Sequence, residues 1–245
     1  MRTTRWHRLI PALLAVGLLL VASGAEAAGA GGAAAGSGTW RDDPRSRLEA
    51  YALLQTLNSQ LLSHDSATLT LDQWCGAHKM ADPAHTVAER VHGQEQPPPP
   101  EVLQLLGVPA DAVRYRQVKL RCGDHVLSEA DNWYVPARLQ PQMNQVLDTT
   151  DTAFGRAVQD LHFQRHTLSA KLLWSPLPEG WEMGAPLPQP SGGKLTVPPH
   201  VLEHRAVLSL PDGTPFSVVV ETYTSEVLAF SALAAGAPER QPRGH

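Results

Sequence analysis

Two charged side chains occur where the sequence predicts buried strands. Residues 114–121 alternate in the manner of a strand, which places Arg116 on one face with Val118 and Leu120. Glu221 interrupts an apolar run in the last predicted strand. A buried guanidinium needs an anionic partner, and a buried carboxylate is either paired or protonated, because an isolated charge away from water is costly. The pattern predicts either a site where Arg116 binds a ligand carboxylate or an internal ion pair between Arg116 and Glu221, unless each side chain reaches the surface.

A second candidate for chemistry is the segment HVLEH at positions 200–204. Its H-x-x-E-H spacing is that of one class of zinc peptidase, in which His200 and His204 would bind the metal and Glu203 would act as general base. That chemistry requires both histidines on one face of a helix. The segment instead leads directly into a predicted hairpin. A zinc hydrolase is therefore kept only as an alternative hypothesis.

The composition narrows the possible function classes. The chain of 245 residues is 42% hydrophobic and 18% charged, with a formal net charge of −4, which is typical of a globular protein. It has no long basic run, so a nucleic-acid partner is not expected. It also lacks the motifs of a nucleophile elbow, a phosphate loop and a dinucleotide-binding turn. Apart from the zinc alternative, we expect no metal and no other cofactor.

The first 27 residues have the pattern of a secretory signal peptide. Arginines precede a nearly unbroken apolar run at positions 9–22, and Ala25-Glu26-Ala27 is a small-x-small cleavage site. This run is shorter than the roughly 20 residues that a spanning helix needs. We therefore expect a periplasmic or secreted protein with no stable membrane span after cleavage. An uncleaved N-terminal anchor is the alternative.

The rest of the chain is predicted to form one domain. Residues 28–42 are rich in Gly, Ala and Ser and predict a flexible tether, 43–234 form the domain, and 235–245 are a loose tail. Cys75 and Cys122 are an even pair in an exported chain, which allows one disulfide. Two buried free thiols are the alternative.

The periodicity of the domain changes along its length. Helical spacing dominates first, and strand patterns joined by hairpin turns follow from about residue 113. This order predicts an α+β fold with an antiparallel sheet. The predicted strands cover 113–121, 126–135, 163–174, 205–210 and 216–227, and predicted helices include 66–78, 101–106, 141–147 and 152–161.

The order of segments resembles the chorismate lyase family, the chorismate pyruvate-lyases. The resemblance covers about residues 57–228 and depends on four motifs taken together. They are Arg116-Gln117-Val118-Lys119-Leu120, Asn132-Trp133-Tyr134-Val135-Pro136, Thr152-Ala153-Phe154-Gly155-Arg156 and Val219-Val220-Glu221. Three features depart from the family pattern: Ala153 stands where the family has proline, the chain between Trp174 and His200 is longer and rich in proline, and the chain has an export signal.

The resemblance implies an antiparallel sheet with helices that cover an internal ligand cavity. It also implies site roles. Arg116 would bind the ligand carboxylate and Glu221 would act at the ring hydroxyl. The start of a helix at Phe154 and Gly155 would contact the ligand through its backbone, and Ala67 would contact it from a covering flap.

The implied activity is elimination of pyruvate from chorismate or a related acid, giving 4-hydroxybenzoate or a similar aromatic acid without a cofactor. The alternative is an exported module that binds a small aromatic or pre-aromatic carboxylate in the same pocket without turnover. In both cases the partner is a small molecule, and we expect a monomer.

Overall fold

A computed structural model describes residues 40–230, which belong to one compact unit. The predicted signal peptide and the tail 235–245 lie outside the described residues. The helices are Pro44–Ser63 (α1), Ala67–Ala77 (α2), Pro100–Leu106 (α3), Pro141–Thr149 (α4) and Phe154–Ala157 (α5). The strands are Thr86–Val91 (β1), Arg114–Cys122 (β2), His125–Tyr134 (β3), Gln164–Leu172 (β4), His200–Ser209 (β5) and Pro215–Thr224 (β6).

The strands form one six-stranded sheet in the order β1-β2-β3-β6-β5-β4, and every neighbouring pair is antiparallel. Tight turns join β2 to β3 and β5 to β6, with Gly123 at φ 56° and Gly213 at φ 86°. These backbone angles lie in the left-handed region that glycine adopts at little cost, which explains the two hairpins. The predicted α+β fold with an antiparallel sheet and covering helices is confirmed.

The two faces of the sheet are covered by different helices. Leu54, Leu57 and Leu61 of α1 are fully buried and pack with α2 against one face, called here the inner face. They recur at the three- and four-residue spacing of an amphipathic helix. On the opposite face, α3 packs Val102 and Leu106 against apolar side chains of β3 and β6. Residues 40–230 contain no helix that is long and apolar enough to cross a membrane.

Several element boundaries differ from those predicted. Strand β1 was missed because its alternating pattern spans only six residues. The helix predicted over 152–161 is divided, since α5 ends at Ala157 and a separate 3₁₀ turn occupies Gln159–Leu161. Strand β5 begins at His200, five residues earlier than predicted.

The N-terminal boundary of the domain also needs correction. Trp40 was assigned to the flexible tether, but its side chain is 1% exposed in the main core. Its indole Nε1 donates a hydrogen bond to the carbonyl oxygen of Leu228 at 2.8 Å. The prediction of a tether over 28–42 is therefore wrong at its C-terminal end, because a buried tryptophan with a satisfied N–H belongs to the packed domain.

A disulfide joins Cys75 of α2 to Cys122 at the end of β2. Both residues are fully buried, so the bond ties the helix layer to the inner face of the sheet from inside the core. Cys75 and Cys122 therefore form a disulfide, and the alternative of two buried free thiols is wrong.

Removing the disulfide should destabilise the domain. Because the bond closes a loop between residues 47 apart, we expect Cys75→Ala/Cys122→Ala to lower the free energy of unfolding by about 4 kcal/mol. Urea denaturation of the oxidised wild type and the double variant measures this difference, with reduced wild type as the control. Equal midpoints for the three samples would contradict a stabilising disulfide.

Candidate functional site

A small cavity lies between the inner face of the sheet and the N-terminal ends of α2 and α5. Its free volume is about 40 Å³, enough for a few water molecules or one carboxylate group but not for an aromatic ring. Its charged lining residues are Asp65, Arg116, Arg165 and Glu221. The remaining lining residues are Ser66, Ala67, Thr68, Val118, Leu120, Ala130, Asn132, Phe154, Gly155, Phe163, Leu208 and Val219.

Arg116 is buried in this cavity, and it forms no salt bridge with any carboxylate of residues 40–230. The residue is 2% exposed, and its Nη2 donates to the carbonyl oxygen of Thr152 at 3.2 Å. Its Nε and Nη1 have no hydrogen-bond partner among residues 40–230. Burial, together with the positive charge of Arg90, lowers the pKa of Arg116. The guanidinium is therefore positioned to receive an anion, as one of the two sequence alternatives predicted.

Asn132 lies next to Arg116 on the neighbouring strand, where the two residues are register partners. Its side chain is buried, and its Oδ1 accepts a hydrogen bond from Ser217 Oγ at 2.6 Å. Because the amide oxygen is occupied in this way, the amide N–H groups are the part of Asn132 that can still bind a ligand. Arg116 and Asn132 thus form a pair of neighbouring donors in the cavity wall.

Glu221 does not pair with Arg116. Its Oε2 lies 2.5 Å from Nη2 of Arg165, its Oε1 lies 3.4 Å from Nη1, and Oε2 also accepts from Tyr223 Oη at 3.0 Å. The Arg165 and Glu221 side chains are 3% and 8% exposed. Burial alone would lower the pKa of Arg165, but the charge of Glu221 raises it. The alternative in which Arg116 and Glu221 neutralise each other is wrong.

Sequence reasoning missed Arg165. The residue lies on β4, an edge strand whose outward positions are largely exposed. One signal was present: in an extended strand Arg165 shares a face with Phe163, which is buried against the inner face. Side-chain alternation placed Arg116 on the inner face of β2. The same alternation on β4 predicts that Arg165 also points inward.

The three other predicted ligand contacts line the cavity. Ala67 and Phe154 are buried at the first positions of α2 and α5, and Gly155 follows Phe154. A β-carbon added at Gly155 would lie 2.6 Å from Ser66 Oγ and 3.1 Å from Thr68 Oγ1. Gly155 is thus the point at which the two helix starts approach most closely, and a larger residue there would push them apart.

The segment between α1 and α2 is tied to the edge of the sheet. Asp65 Oδ1 accepts a hydrogen bond from the backbone N–H of Arg165 at 2.8 Å. Ser66 caps α2, accepting from the N–H of Leu69 at 3.4 Å. These contacts hold the segment over the cavity beside Phe163.

The zinc hypothesis is not supported by the geometry of the described chain. His200, Glu203 and His204 lie on strand β5, not on a helix. His200 Nε2 lies 3.3 Å from Glu129 Oε2 at the surface, whereas His204 is fully buried. Glu203 faces Lys171 at 3.8 Å. Residues 40–230 contain no cluster of three or more His, Cys, Asp or Glu side chains that could hold a metal.

His204 belongs instead to the surroundings of the ion pair. Its Nε2 lies 2.8 Å from Asn58 Oδ1 of α1, and its ring packs edge-on against Tyr223 with centroids 5.6 Å apart. Burial, opposed by Glu221 and reinforced by Arg165, lowers the pKa of His204 to about 4. The imidazole is therefore neutral at pH 7, with Nε2 donating to Asn58.

This buried histidine should make stability depend on pH. In the unfolded chain His204 takes up a proton below its ordinary pKa of about 6.5, whereas the folded form resists protonation down to about pH 4. Its contribution is therefore complete above pH 6.5 and is lost as the pH falls from 6.5 to 4. His204→Gln, which keeps a donor for Asn58, should remove on the order of 2–3 kcal/mol of that pH dependence. Urea denaturation at pH 7, 5.5 and 4.5 tests this, and identical slopes for both proteins would contradict it.

A wider groove adjoins the cavity on the outside of the same segment. It has a volume of about 230 Å³ and shares Asp65, Ser66, Gly155 and Phe163 with the cavity lining. The two spaces therefore meet where the Ser66 side chain contacts the start of α5. The other groove residues are His64, Leu69, Thr70, Gln73, Gln159 and His162.

The fold and the site together define a single-sheet α+β protein with a buried cavity that carries one unneutralised guanidinium. No family model matches the chain. The chain belongs to the family of the uncharacterized protein y4mC of Sinorhizobium fredii (strain NBRC 101917 / NGR234), with which it is 59% identical over 195 residues. This alignment covers 79% of the chain and 82% of the relative.

Among solved structures, the chain is similar to transcriptional regulators and their domains. For the possible regulator YydK of Bacillus subtilis the TM-score is 0.36 at 14% identity, over 60% of this chain and 62% of YydK. For PhnF of Mycobacterium smegmatis it is 0.41 at 12% identity, over 69% and 68%. For the ligand-binding domain of a putative GntR-family regulator of Bordetella bronchiseptica it is 0.36 at 11% identity, over 58% and 83%.

These comparisons correct the family assignment made from the sequence. The chain was compared with the chorismate lyases on four short motifs, but the related protein is uncharacterized and the similar structures are regulators of the GntR type. The assignment to the chorismate lyase family is therefore wrong. Short motifs misled because strand alternation and helix starts recur in any antiparallel sheet with covering helices.

Proposed function

We propose that this protein binds a small aromatic carboxylate and that Arg116 receives the carboxylate. The observation that carries the proposal is the buried guanidinium with two unpartnered donor atoms, Nε and Nη1, in a cavity wall. Burying such a charge without a counter-ion is expensive, and a bound carboxylate would remove that cost. A guanidinium also binds a carboxylate through two parallel hydrogen bonds, which fixes its orientation.

The rest of the cavity lining suits a ligand whose carboxylate is attached to a flat apolar ring. Phe154 and Phe163 flank the cavity toward its outer side, and aliphatic side chains of the sheet form its floor. Aromatic rings stack or pack edge-on against such neighbours favourably. Because the closed cavity holds only a carboxylate-sized group, the ring would lie toward the Ser66 side chain, with the 64–66 segment displaced.

Binding without turnover is the function that the geometry supports best. Glu221, the residue that would act as acid or base on a ligand, has both oxygens engaged by Arg165 and one also by Tyr223. Proton transfer requires a group within hydrogen-bond reach of the substrate and free to exchange a proton. A carboxylate held in a buried ion pair is better suited to fixing the charge of the cavity.

The binding role of Arg116 can be tested with benzoate and 4-hydroxybenzoate as probes. Arg116→Met keeps a long side chain but removes the charge, and it should weaken binding of both acids by at least about 150-fold, the equivalent of two charge-assisted hydrogen bonds of about 1.5 kcal/mol each. The same variant should raise the free energy of unfolding by about 1 kcal/mol, because it removes an uncompensated buried charge. Calorimetric titration measures the first effect and urea denaturation the second.

Arg114→Met is the matched control for this experiment. Arg114 lies two residues earlier on β2, is exposed, and pairs with Asp148 at 3.0 Å. It should leave the affinity for both acids within about twofold, as expected for a surface ion pair remote from the ligand. Unchanged affinity in Arg116→Met would overturn the proposed function.

We further propose that the mature protein acts outside the cytoplasm. The signal-peptide pattern of residues 1–27 and the buried Cys75–Cys122 disulfide support this location, since disulfides persist mainly in oxidising compartments. Cell fractionation followed by intact-mass analysis should find an oxidised chain that begins at Ala28 in the periplasm or the medium. A form lacking residues 2–27 serves as the retained control. A full-length, reduced chain confined to the cytoplasm would contradict the proposal.

A further inference from the structure

The groove beside the cavity has no role in the function proposed above. It lies between the N-terminal half of α2 and the 3₁₀ turn that follows α5, and its volume of about 230 Å³ is several times that of the cavity. A cavity that encloses a single benzene ring has a volume of about 150 Å³. An aromatic acid whose carboxylate reaches Arg116 must therefore extend beyond the cavity, and the groove is the space into which it would extend.

Only a thin layer of shared lining separates the cavity from the groove. They share four lining residues, and the narrowest point is where Ser66 Oγ approaches Gly155, too close for a β-carbon. Ser66 lies in the short segment held by the hydrogen bond from the Arg165 backbone to Asp65. Displacement of the 64–66 segment, which carries the Ser66 side chain, would join the cavity to the groove.

The chemistry of the groove differs from that of the cavity. Its walls carry two exposed amides, Gln73 and Gln159, and two exposed imidazoles, His64 and His162, around the apolar surface of Leu69 and Phe163. None of the ten lining residues is Lys or Arg, and the one charged member, Asp65, is an acid. Such a surface offers hydrogen bonds to a neutral polar group and repels a second anion.

We propose that the groove is a subsite for a neutral, hydrogen-bonding substituent on the aromatic carboxylate, so that the ligand lies with its acid end at Arg116 and its polar end between Gln73 and Gln159. This assignment rests on the proposed function, because the acid end sets the position of the rest of the ligand. It restricts the ligand class to monoanionic aromatic acids that carry an amide, hydroxyl or similar group opposite the carboxylate.

Three probe acids that differ at one position test the assignment: benzoate, 4-acetamidobenzoate and terephthalate. Calorimetric titration of the full chain should give at least tenfold tighter binding of 4-acetamidobenzoate than of benzoate. Terephthalate, which places a second carboxylate in the groove, should bind no more tightly than benzoate. Equal affinities for benzoate and 4-acetamidobenzoate, or a clear preference for terephthalate, would overturn the subsite.

Two tryptophan variants test whether the tighter binding of 4-acetamidobenzoate arises in the groove. Gln73→Trp fills the outer part of the groove from the exposed side of α2, so it should reduce the advantage of 4-acetamidobenzoate over benzoate to less than threefold. Gln104→Trp is the control, because Gln104 is exposed on α3 at the opposite face of the sheet. An advantage that survives in Gln73→Trp places the substituent elsewhere and overturns the proposal.

The outcomes separate the subsite from the proposed function. If benzoate binds in an Arg116-dependent manner but the acetamido group adds nothing, only the subsite is wrong. If neither acid binds, or if Arg116→Met binds both as well as the wild type does, the proposed function fails and the subsite fails with it. Denaturation curves for both tryptophan variants identify any loss of affinity that is due to unfolding.

Discussion

The ion pair between Arg165 and Glu221 determines the charge that the cavity offers to a ligand. It links the edge strand β4 to β6 in the middle of the sheet, and both partners are almost completely buried. Removing either partner would leave one uncompensated charge in the core, which is far more costly than the intact pair. Because the pair is neutral as a whole and Asp65 is exposed, Arg116 is left as the buried lining charge that no described residue neutralises. His204 beside the pair is neutral because burial lowers its pKa to about 4 and outweighs the opposing charge of Glu221.

The position of Arg116 depends on how the helix layer is fixed to the sheet. Arg116 lies near the start of β2, and the disulfide at Cys122 joins the end of the same strand to α2. The floor of the cavity and the first turn of α2 above it are therefore covalently connected through one strand and one helix. This connection leaves little freedom for α2 to move away from the sheet. The 64–66 segment, in contrast, contacts the edge of the sheet through the hydrogen bond from the Arg165 N–H to Asp65.

Strand alternation and the order of the elements along the chain were enough to predict the features that depend on neighbouring residues alone. Alternation on β2 was sufficient to place Arg116 in the core, and the order of helices and hairpins was sufficient for the α+β class. The partner of Glu221 could not be found in this way, because Arg165 comes from a strand that is distant in sequence and pairs at the far edge of the sheet. The burial of Trp40 depends equally on a distant contact, the carbonyl of Leu228. Short motifs were the least reliable guide. HVLEH lies in a strand rather than on a helix, and the four motifs that resemble the chorismate lyases indicated the wrong family.

A buried arginine without a counter-ion is a feature that stability alone does not explain. A methionine of similar length would fill the same space with less desolvation cost, and proteins commonly keep such costly groups where a ligand repays them. The neighbouring Asn132, whose oxygen accepts a hydrogen bond from Ser217, adds amide N–H donors to the same cavity wall, and donors of this kind stabilise a bound anion. The cavity should consequently select ligands mainly by the charge of their acid group and only secondarily by their shape. A neutral isostere of the carboxylate would leave the guanidinium as uncompensated as it is in the empty protein, so most of the binding free energy must come from the anion itself.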